Sequence, residues 1–292
     1  MEAAIVERLR RSPDVELDPV LVNAPLIYTK AGQKALAEVY QSYIDVALAA
    51  NVPFLMCTPT WRTNRERVSA TKIEPGINID AVHFLQQLRE DQKAGRENIK
   101  IGGLIGCKND CYLPGEALSA GQAEQFHTWQ IEQLKLGGVD FIIAETLPSV
   151  AEATGIAKAL ERSGLPYFMS FVISRHGRVL DGTDLDTAIK TIDSHTQRQP
   201  LGYMINCAYP SFLNAATQPP AVFQRLTGYL ANASSKDHCE LDGAQELLME
   251  NVSDWGELML SLNRLYGVRV LGGCCGTNEQ HLEYLCAPAN RK

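Results

Sequence analysis

Two cysteines stand side by side in LGGCCGT (Leu271 to Thr277): Cys274 and Cys275, with Gly272 and Gly273 before them and Gly276 after. A third, Cys207, ends the apolar run LGYMINC. If both runs are strands of one parallel sheet, all three thiols lie at strand ends and can converge on one point. Such a trio suits zinc, which binds thiolates tetrahedrally at ~2.3 Å and in catalytic sites takes three protein ligands, leaving the fourth position open. Successive residues of a regular strand point to opposite faces, so adjacent cysteines share a metal only where the backbone turns. Gly273 and Gly276 permit that turn, positive φ included. Three thiolates leave a negatively charged zinc centre, a poor Lewis acid toward water but well suited to an incoming thiol, whose pKa falls below the ~8.5 of a free cysteine-like group. The reaction implied is alkylation of a thiol. The competing readings of the trio are buried structural thiols or a strained disulfide between the neighbours.

The elements that must position these residues can be traced along the chain. Eight short apolar or β-branched runs predict strands: VLVNAP (Val20 to Pro25), VPFLMC (Val52 to Cys57), IKIGGLIG (Ile99 to Gly106), DFIIAET (Asp140 to Thr146), YFMSFVI (Tyr167 to Ile173), LGYMINC (Leu201 to Cys207), TGYLANA (Thr227 to Ala233) and VRVLGGC (Val268 to Cys274). They are apolar almost throughout, as strands covered on both faces are. Between them lie segments of helical period, among them AGQKALAEVYQSYIDVALAA, GQAEQFHTWQIEQLKLGG, VAEATGIAKALERSG and WGELMLSLNRLYG. Strands alternating with helices over this length predict an α/β protein with a (β/α)8 TIM barrel as a single domain over residues 1–292. In that fold chemistry sits at the carboxyl ends of the strands, which here present Asn23, Cys57, Thr58, Cys107, Glu145, Thr146, Ser174, Asn206, Cys207, Asn232, Cys274 and Cys275. The polar link from Asn232 to about Asp254 reads as a long loop over the site or a loop with a short helix.

Composition narrows the class of partner. The chain carries a formal net charge of −7 with scattered basic residues, which gives no footprint for nucleic acid or an anionic membrane. No run approaches the ~18 apolar residues of a membrane span, and MEAAIVERLRRSPDVELD has charges where a signal peptide needs an apolar core. The reading is a soluble, cytoplasmic protein acting on small molecules. In such a compartment eight cysteines are reduced, and a cluster of them points to metal or catalysis rather than to a disulfide framework.

FIIAET at Glu145, INCAYP at Cys207 and LGGCCGT at Cys274 and Cys275 together resemble the homocysteine S-methyltransferase family. CTPTWRTNRERV (Cys57 to Val68) is similar to that family's Thr-x-Thr-aromatic segment after strand two, and GGLIG to its strand three. The resemblance covers nearly the whole chain after about Val52. It implies a zinc-dependent barrel enzyme that methylates the sulfur of homocysteine to give methionine, with Cys207, Cys274 and Cys275 as metal ligands. It further implies that Glu145 pairs with the amino group of the bound amino acid and that Thr58, Trp61 and Asn206 line or order the pocket, the aromatic face stabilising an onium donor by cation–π attraction. Among the family's donors, S-methylmethionine or S-adenosylmethionine fits a chain too short for folate and cobalamin modules. One position departs from the pattern: the family's first strand carries an aspartate for the substrate amine, and VLVNAPLIY has Asn23 there. An amide accepts a hydrogen bond from an ammonium without adding negative charge. That departure leaves open a different thiol acceptor, or a non-catalytic, sensory homologue.

The remaining features read as structural. CKNDC (Cys107, Cys111) lacks a second pair or a nearby histidine, and Cys57, Cys239 and Cys286 read as core or surface thiols. No histidine lies in a ligand-spaced motif; His281 falls in a terminal helix with Thr277 or Asn278 as its N-cap.

Overall fold

A computed structural model describes residues 1–237 and 249–287. Cys239, and with it part of the link after Asn232, lies outside the described residues. Seven strands form one parallel sheet in chain order: β1 (Phe54–Cys57), β2 (Ile99–Gly106), β3 (Phe141–Leu147), β4 (Tyr167–Phe171), β5 (Gly202–Ala208), β6 (Leu226–Ala231) and β7 (Val270–Gly273). Each matches one of the last seven expected runs to within a few residues, and β2 matches from end to end. The sheet is flanked by ten described α-helices: α1 (Val6–Arg10), α2 (Lys30–Ala49), α3 (Arg65–Ser69), α4 (Ile77–Glu90), α5 (Ala120–Gly137), α6 (Val150–Ser163), α7 (Leu185–His195), α8 (Pro220–Arg225), α9 (Val252–Tyr266) and α10 (Glu279–Cys286). Their limits follow local chemistry. The Thr29 hydroxyl accepts the Gly32 N–H at the start of α2, a Ser119–Gln122 capping box opens α5, and Asn278 caps α10.

The expected first strand is not a strand. The Asp18 carboxylate accepts the N–H groups of Val20 and Leu21 at 2.8 and 2.7 Å, and Val22 takes a φ of +58°. The run thus turns tightly into a 3-10 turn at Ala24–Tyr28, and Asn23 is buried at the head of that turn instead of ending a strand. The place between β7 and β1 is filled by the first residues of the chain. The Met1 nitrogen donates to the Leu271 carbonyl at 2.8 Å and the Gly273 N–H to the Glu2 carbonyl at 3.0 Å, while the Glu2 N–H donates to the Leu55 carbonyl at 3.2 Å. Met1 and Glu2 therefore join both edges of the seven-stranded sheet and satisfy edge groups that would otherwise lie unpaired.

Two layers of core follow. Inside the ring, Met1, Cys57, Phe141, Ile143, Met204 and Leu230 pack together. Outside it, the other strand faces bury against the apolar stripes of the helices, with Tyr40, Tyr43, Tyr203, Tyr229 and Trp255 among the largest fully buried side chains. At ~25 cal/mol per Å2 of apolar surface, each of these rings contributes a few kcal/mol to folding. Among the described residues no helix is long and apolar enough to cross a membrane.

Candidate active site

The three thiols converge. The sulfurs of Cys207, Cys274 and Cys275 all lie within 4.8 Å of one another at the carboxyl ends of β5 and β7. Cys207 and Cys274 are partly buried and Cys275 is exposed at the rim. Beyond β7, the Cys274 N–H donates to the Ala231 carbonyl at 2.7 Å, and the Thr277 hydroxyl and N–H both donate to the Cys274 carbonyl at 2.6 and 3.1 Å. The turn this makes depends on two of the glycines. Gly276 adopts φ +82°, and a Cβ on Gly273 would sit 2.1 Å from the Thr277 hydroxyl. The Glu7 carboxylate accepts the Gly276 N–H and closes the turn.

Cys207 reaches the cluster by a device that strand alternation does not signal. It has φ +53° at a shift of register between β5 and β6, and Thr146, at a matching shift between β3 and β4, has φ +59°. Left-handed backbone is costly for non-glycine residues and most of all for a β-branched one. Asn206 links the two positions. Its Oδ1 accepts the Thr146 N–H at 2.8 Å and the Ser170 hydroxyl at 2.7 Å, and its Nδ2 donates to the Thr146 hydroxyl at 2.7 Å and the Cys207 sulfur at 3.5 Å. Fully engaged in this way, Asn206 orients the thiol from behind. The other thiols share the remaining hydrogens: those of Cys207 and Cys274 hydrogen-bond Cys275 and hold it well below the ordinary thiol range, whereas Cys207 is pushed up by its two neighbours.

Carboxylates form the other side of the site. Glu145 is partly buried near the end of β3, and its carboxylate has no hydrogen bond or ion pair among the described residues; burial pushes its pKa up to about 7. The sequence reading missed its companion, Glu2. This residue is 8% exposed, its Oε2 accepts the Cys57 N–H at 2.7 Å, and burial raises its pKa well above the carboxylate range, with the charge of Glu145 adding to the rise. A carboxylate, that of Glu2, therefore stands on the segment that takes the first strand's place, whereas Asn23 lies in the 3-10 turn. The one available signal was an acidic residue followed by two alanines immediately before α1, a stretch too short and too small to read as a strand.

The segment after β1 is more structural than expected. Thr58 is fully buried, and its hydroxyl accepts the Leu104 N–H at 3.0 Å and contacts the Thr60 hydroxyl at 2.6 Å, lacing the loop to β2. The cation over the Trp61 ring is the protein's own Arg62, 4.0 Å from the ring centroid, and the indole N–H is buried without a partner, packed close to Gly106. Tyr112 is a second residue missed: it follows the carboxyl end of β2, at the same end of the sheet as the thiols, and Cys207, then burial and the other thiols, raise its pKa. Asn232, at the end of β6, is buried with its Oδ1 unpartnered, and the N–H of the next residue donates to the Cys275 carbonyl at 2.9 Å. His281 lies in α10 behind its Asn278 cap, as expected.

The residues present fit a zinc ion. Sulfurs on a tetrahedral zinc with ~2.3 Å bonds stand roughly 3.8 Å apart, compatible with three sulfurs that all lie within 4.8 Å of one another.

Comparison with known proteins agrees with this arrangement. Homocysteine S-methyltransferase 3 of Arabidopsis thaliana is 27% identical over 204 residues, 63% of this chain and 56% of its own length. Homocysteine S-methyltransferase of Escherichia coli K12 is 28% identical over 196 residues, 62% and 56% of the two chains. The chain thus spans about half the length of the curated relatives it matches. The metallated form of the homocysteine methyltransferase MmuM from Escherichia coli has the same fold, with a TM-score of 0.72 at 18% identity over 98% of this chain and 94% of that one. A sequence profile described as homocysteine S-methyltransferase matches residues 1–288, from the edge-joining Met1 through the cysteine turn. With strand closure, paired carboxylates and converged thiols all inside that match, the chain belongs to the homocysteine S-methyltransferase family.

Proposed function

We propose that the protein binds zinc through Cys207, Cys274 and Cys275 and transfers a methyl group from a small onium donor, S-methylmethionine or S-adenosylmethionine, to the thiol of homocysteine, giving methionine. The observation that carries this reading is the pairing, in one barrel mouth, of a three-thiol cluster with two carboxylates that no basic side chain pairs with among the described residues. A zinc ion held there supplies the acidity that makes the acceptor a thiolate at neutral pH. The rest is done by the chain. Two carboxyls in a poorly solvated site repel each other's ionisation, and an ammonium arriving between them restores both charges. Glu2 and Glu145 thus select an amino acid and orient it so that its sulfur points to the cysteines. Asn206 holds Cys207 in its left-handed pose, and the rigid mouth aligns sulfur, methyl carbon and leaving sulfide. In the transfer a bond forms from the acceptor sulfur to the methyl carbon as the donor's bond from sulfur to that carbon breaks, and the donor leaves as a neutral thioether.

A sensory reading rests on the absence of a strand-one acid, and a carboxylate on Glu2 in the first strand's place supports the catalytic reading instead. A relative from Astragalus bisulcatus is named selenocysteine methyltransferase, at 25% identity over 173 residues, so selenocysteine belongs beside homocysteine among the acceptors tested. The test is a thiol-consumption assay on reduced, zinc-loaded protein with both acceptors and both donors. Methionine formation is expected; no turnover of any pair overturns the reading.

A further inference from the structure

Residues 107–118, between β2 and α5, contain only a short 3-10 turn at Pro114–Glu116, yet both ends of the segment are held by charged groups from other elements. On one side stands Arg62, 9% exposed and without a carboxylate partner among the described residues. Its Nη1 donates to the carbonyls of Cys107 at 3.2 Å and Asn109 at 2.6 Å. On the other stands Glu152, 1% exposed in the first turn of α6. Its Oε1 accepts the Lys108 N–H at 2.8 Å and its Oε2 the Leu118 N–H at 3.1 Å. The buried His127 lies behind it, with Nε2 3.1 Å from Oε1. Burial pushes the Glu152 carboxyl up, but the hydrogen bonds from His127, Lys108 and Leu118 outweigh it and keep the group ionised. Within the segment, the Asn109 amide donates to the Glu116 carbonyl at 2.7 Å and Asp110 accepts the Tyr112 N–H at 2.8 Å. The residue so placed, Tyr112, lies beyond the carboxyl end of β2, at the same end of the parallel sheet as the thiols at the ends of β5 and β7.

We propose that Arg62 and Glu152 are positioning residues, a cation on carbonyls opposed by an anion on amides, which preset residues 107–118 as a wall of the thiol site and fix the Tyr112 ring where it bounds the space open to the acceptor. This rests on the reading of the three thiols as the acceptor site. A buried charge that satisfies backbone groups at both ends of a segment restricts it more than a single bond does, because releasing the segment would strand the charge. Neither Arg62 nor Glu152 hydrogen-bonds the three thiols, so their effect on the acceptor must pass through the wall.

The test compares wild type with Glu152→Gln, Arg62→Met, Arg62→Lys, Tyr112→Ala and Glu152→Gln/Tyr112→Ala. Amide hydrogen exchange of residues 107–118 is expected to quicken by about tenfold or more in Glu152→Gln and Arg62→Met, with zinc content unchanged. The acceptor KM is expected to rise about tenfold, ~1.4 kcal/mol, with kcat moving much less, and Arg62→Lys, which keeps the cation, to recover part of the loss. The double variant is expected to be no worse than Tyr112→Ala alone, since both act through one ring. Faster exchange with an unmoved KM, or effects of Glu152→Gln and Tyr112→Ala that multiply, would overturn the proposal. If Glu152→Gln fails to fold because His127 loses its partner, Arg62→Met decides. If wild type turns over no donor, the proposed function falls by itself, and homocysteine titrations of cobalt-loaded wild type and variants, followed by absorption, decide the wall with the same expected tenfold loss.

Discussion

The sulfur side and the carboxylate side of the barrel mouth are built on opposite principles. On the sulfur side, Cys207 and Thr146 hold left-handed backbone, and every polar atom of the Asn206 side chain is engaged in keeping them there. Strain and saturation together give a fixed geometry, as a metal requires. The carboxylate side is under-satisfied. Among the described residues the Glu145 carboxylate has no hydrogen bond and the Glu2 carboxylate accepts only the Cys57 N–H, so burial holds both toward their protonated forms. On the proposed reading, one side is complete before any ligand arrives, whereas the other is completed by the ammonium of the acceptor. Backbone geometry is thus fixed around the thiols, while the carboxylates are left with charge to offer a ligand.

That contrast can be broken in order of expected effect. Cys207→Ser should remove the metal outright, with a loss of affinity beyond the ~100-fold that supporting residues around a metal typically contribute; elemental analysis of reduced protein checks this, and retention of stoichiometric zinc would deny Cys207 its role. Glu145→Gln and Glu2→Gln should each weaken amino-acid binding by about 10–100-fold, the worth of a charge-assisted hydrogen bond of ~1.5–3 kcal/mol, while zinc content holds. Asn23→Ala should stay within about twofold, and calorimetric titration with methionine that ranked Asn23 above Glu2 would return the amine site to the 3-10 turn.

A smaller effect lies in pH. With Glu145 titrating at about 7, methionine affinity should rise about tenfold from pH 6 to pH 8 as the carboxylate becomes available to the ammonium, and Glu145→Gln should flatten the curve. In the ligand-free protein the sign reverses. The folded state favours the protonated carboxyl, so this contribution to stability is present at low pH and is lost as pH rises through about 7. Opposite slopes of affinity and stability over that range would sharpen the comparison; parallel slopes would end it. The smallest effect belongs to Gly276→Ala, which should cost about 1–2 kcal/mol for a left-handed residue, read as a lower urea midpoint.

The readable parts of the molecule were those in which local pattern and tertiary role coincide. IKIGGLIG matches β2 from end to end because it is apolar on both faces and bounded by a turn and a loop. VLVNAP carried the same pattern and failed, because the Asp18 side chain competes for the backbone N–H groups of the run and Val22 turns left-handed. Met1 and Glu2 show the converse: too short a stretch to signal a strand, they find hydrogen bonds on two edges that the rest of the chain leaves open. Thr58 and Trp61 were legible as residues near the mouth, but their partners, the β2 backbone and Arg62, belong to contacts that spacing does not reveal.

By itself the sequence determined an alternating α/β barrel and a thiol trio at strand ends, because hydrophobic period and a glycine-flanked cysteine pair are local properties. Only the tertiary structure decided where the barrel closes, which acid faces Glu145, and how Asn206, Arg62 and Glu152 hold the walls. Each of those depends on hydrogen bonds between residues far apart in the chain, and such bonds exist only once the sheet has brought their strands together.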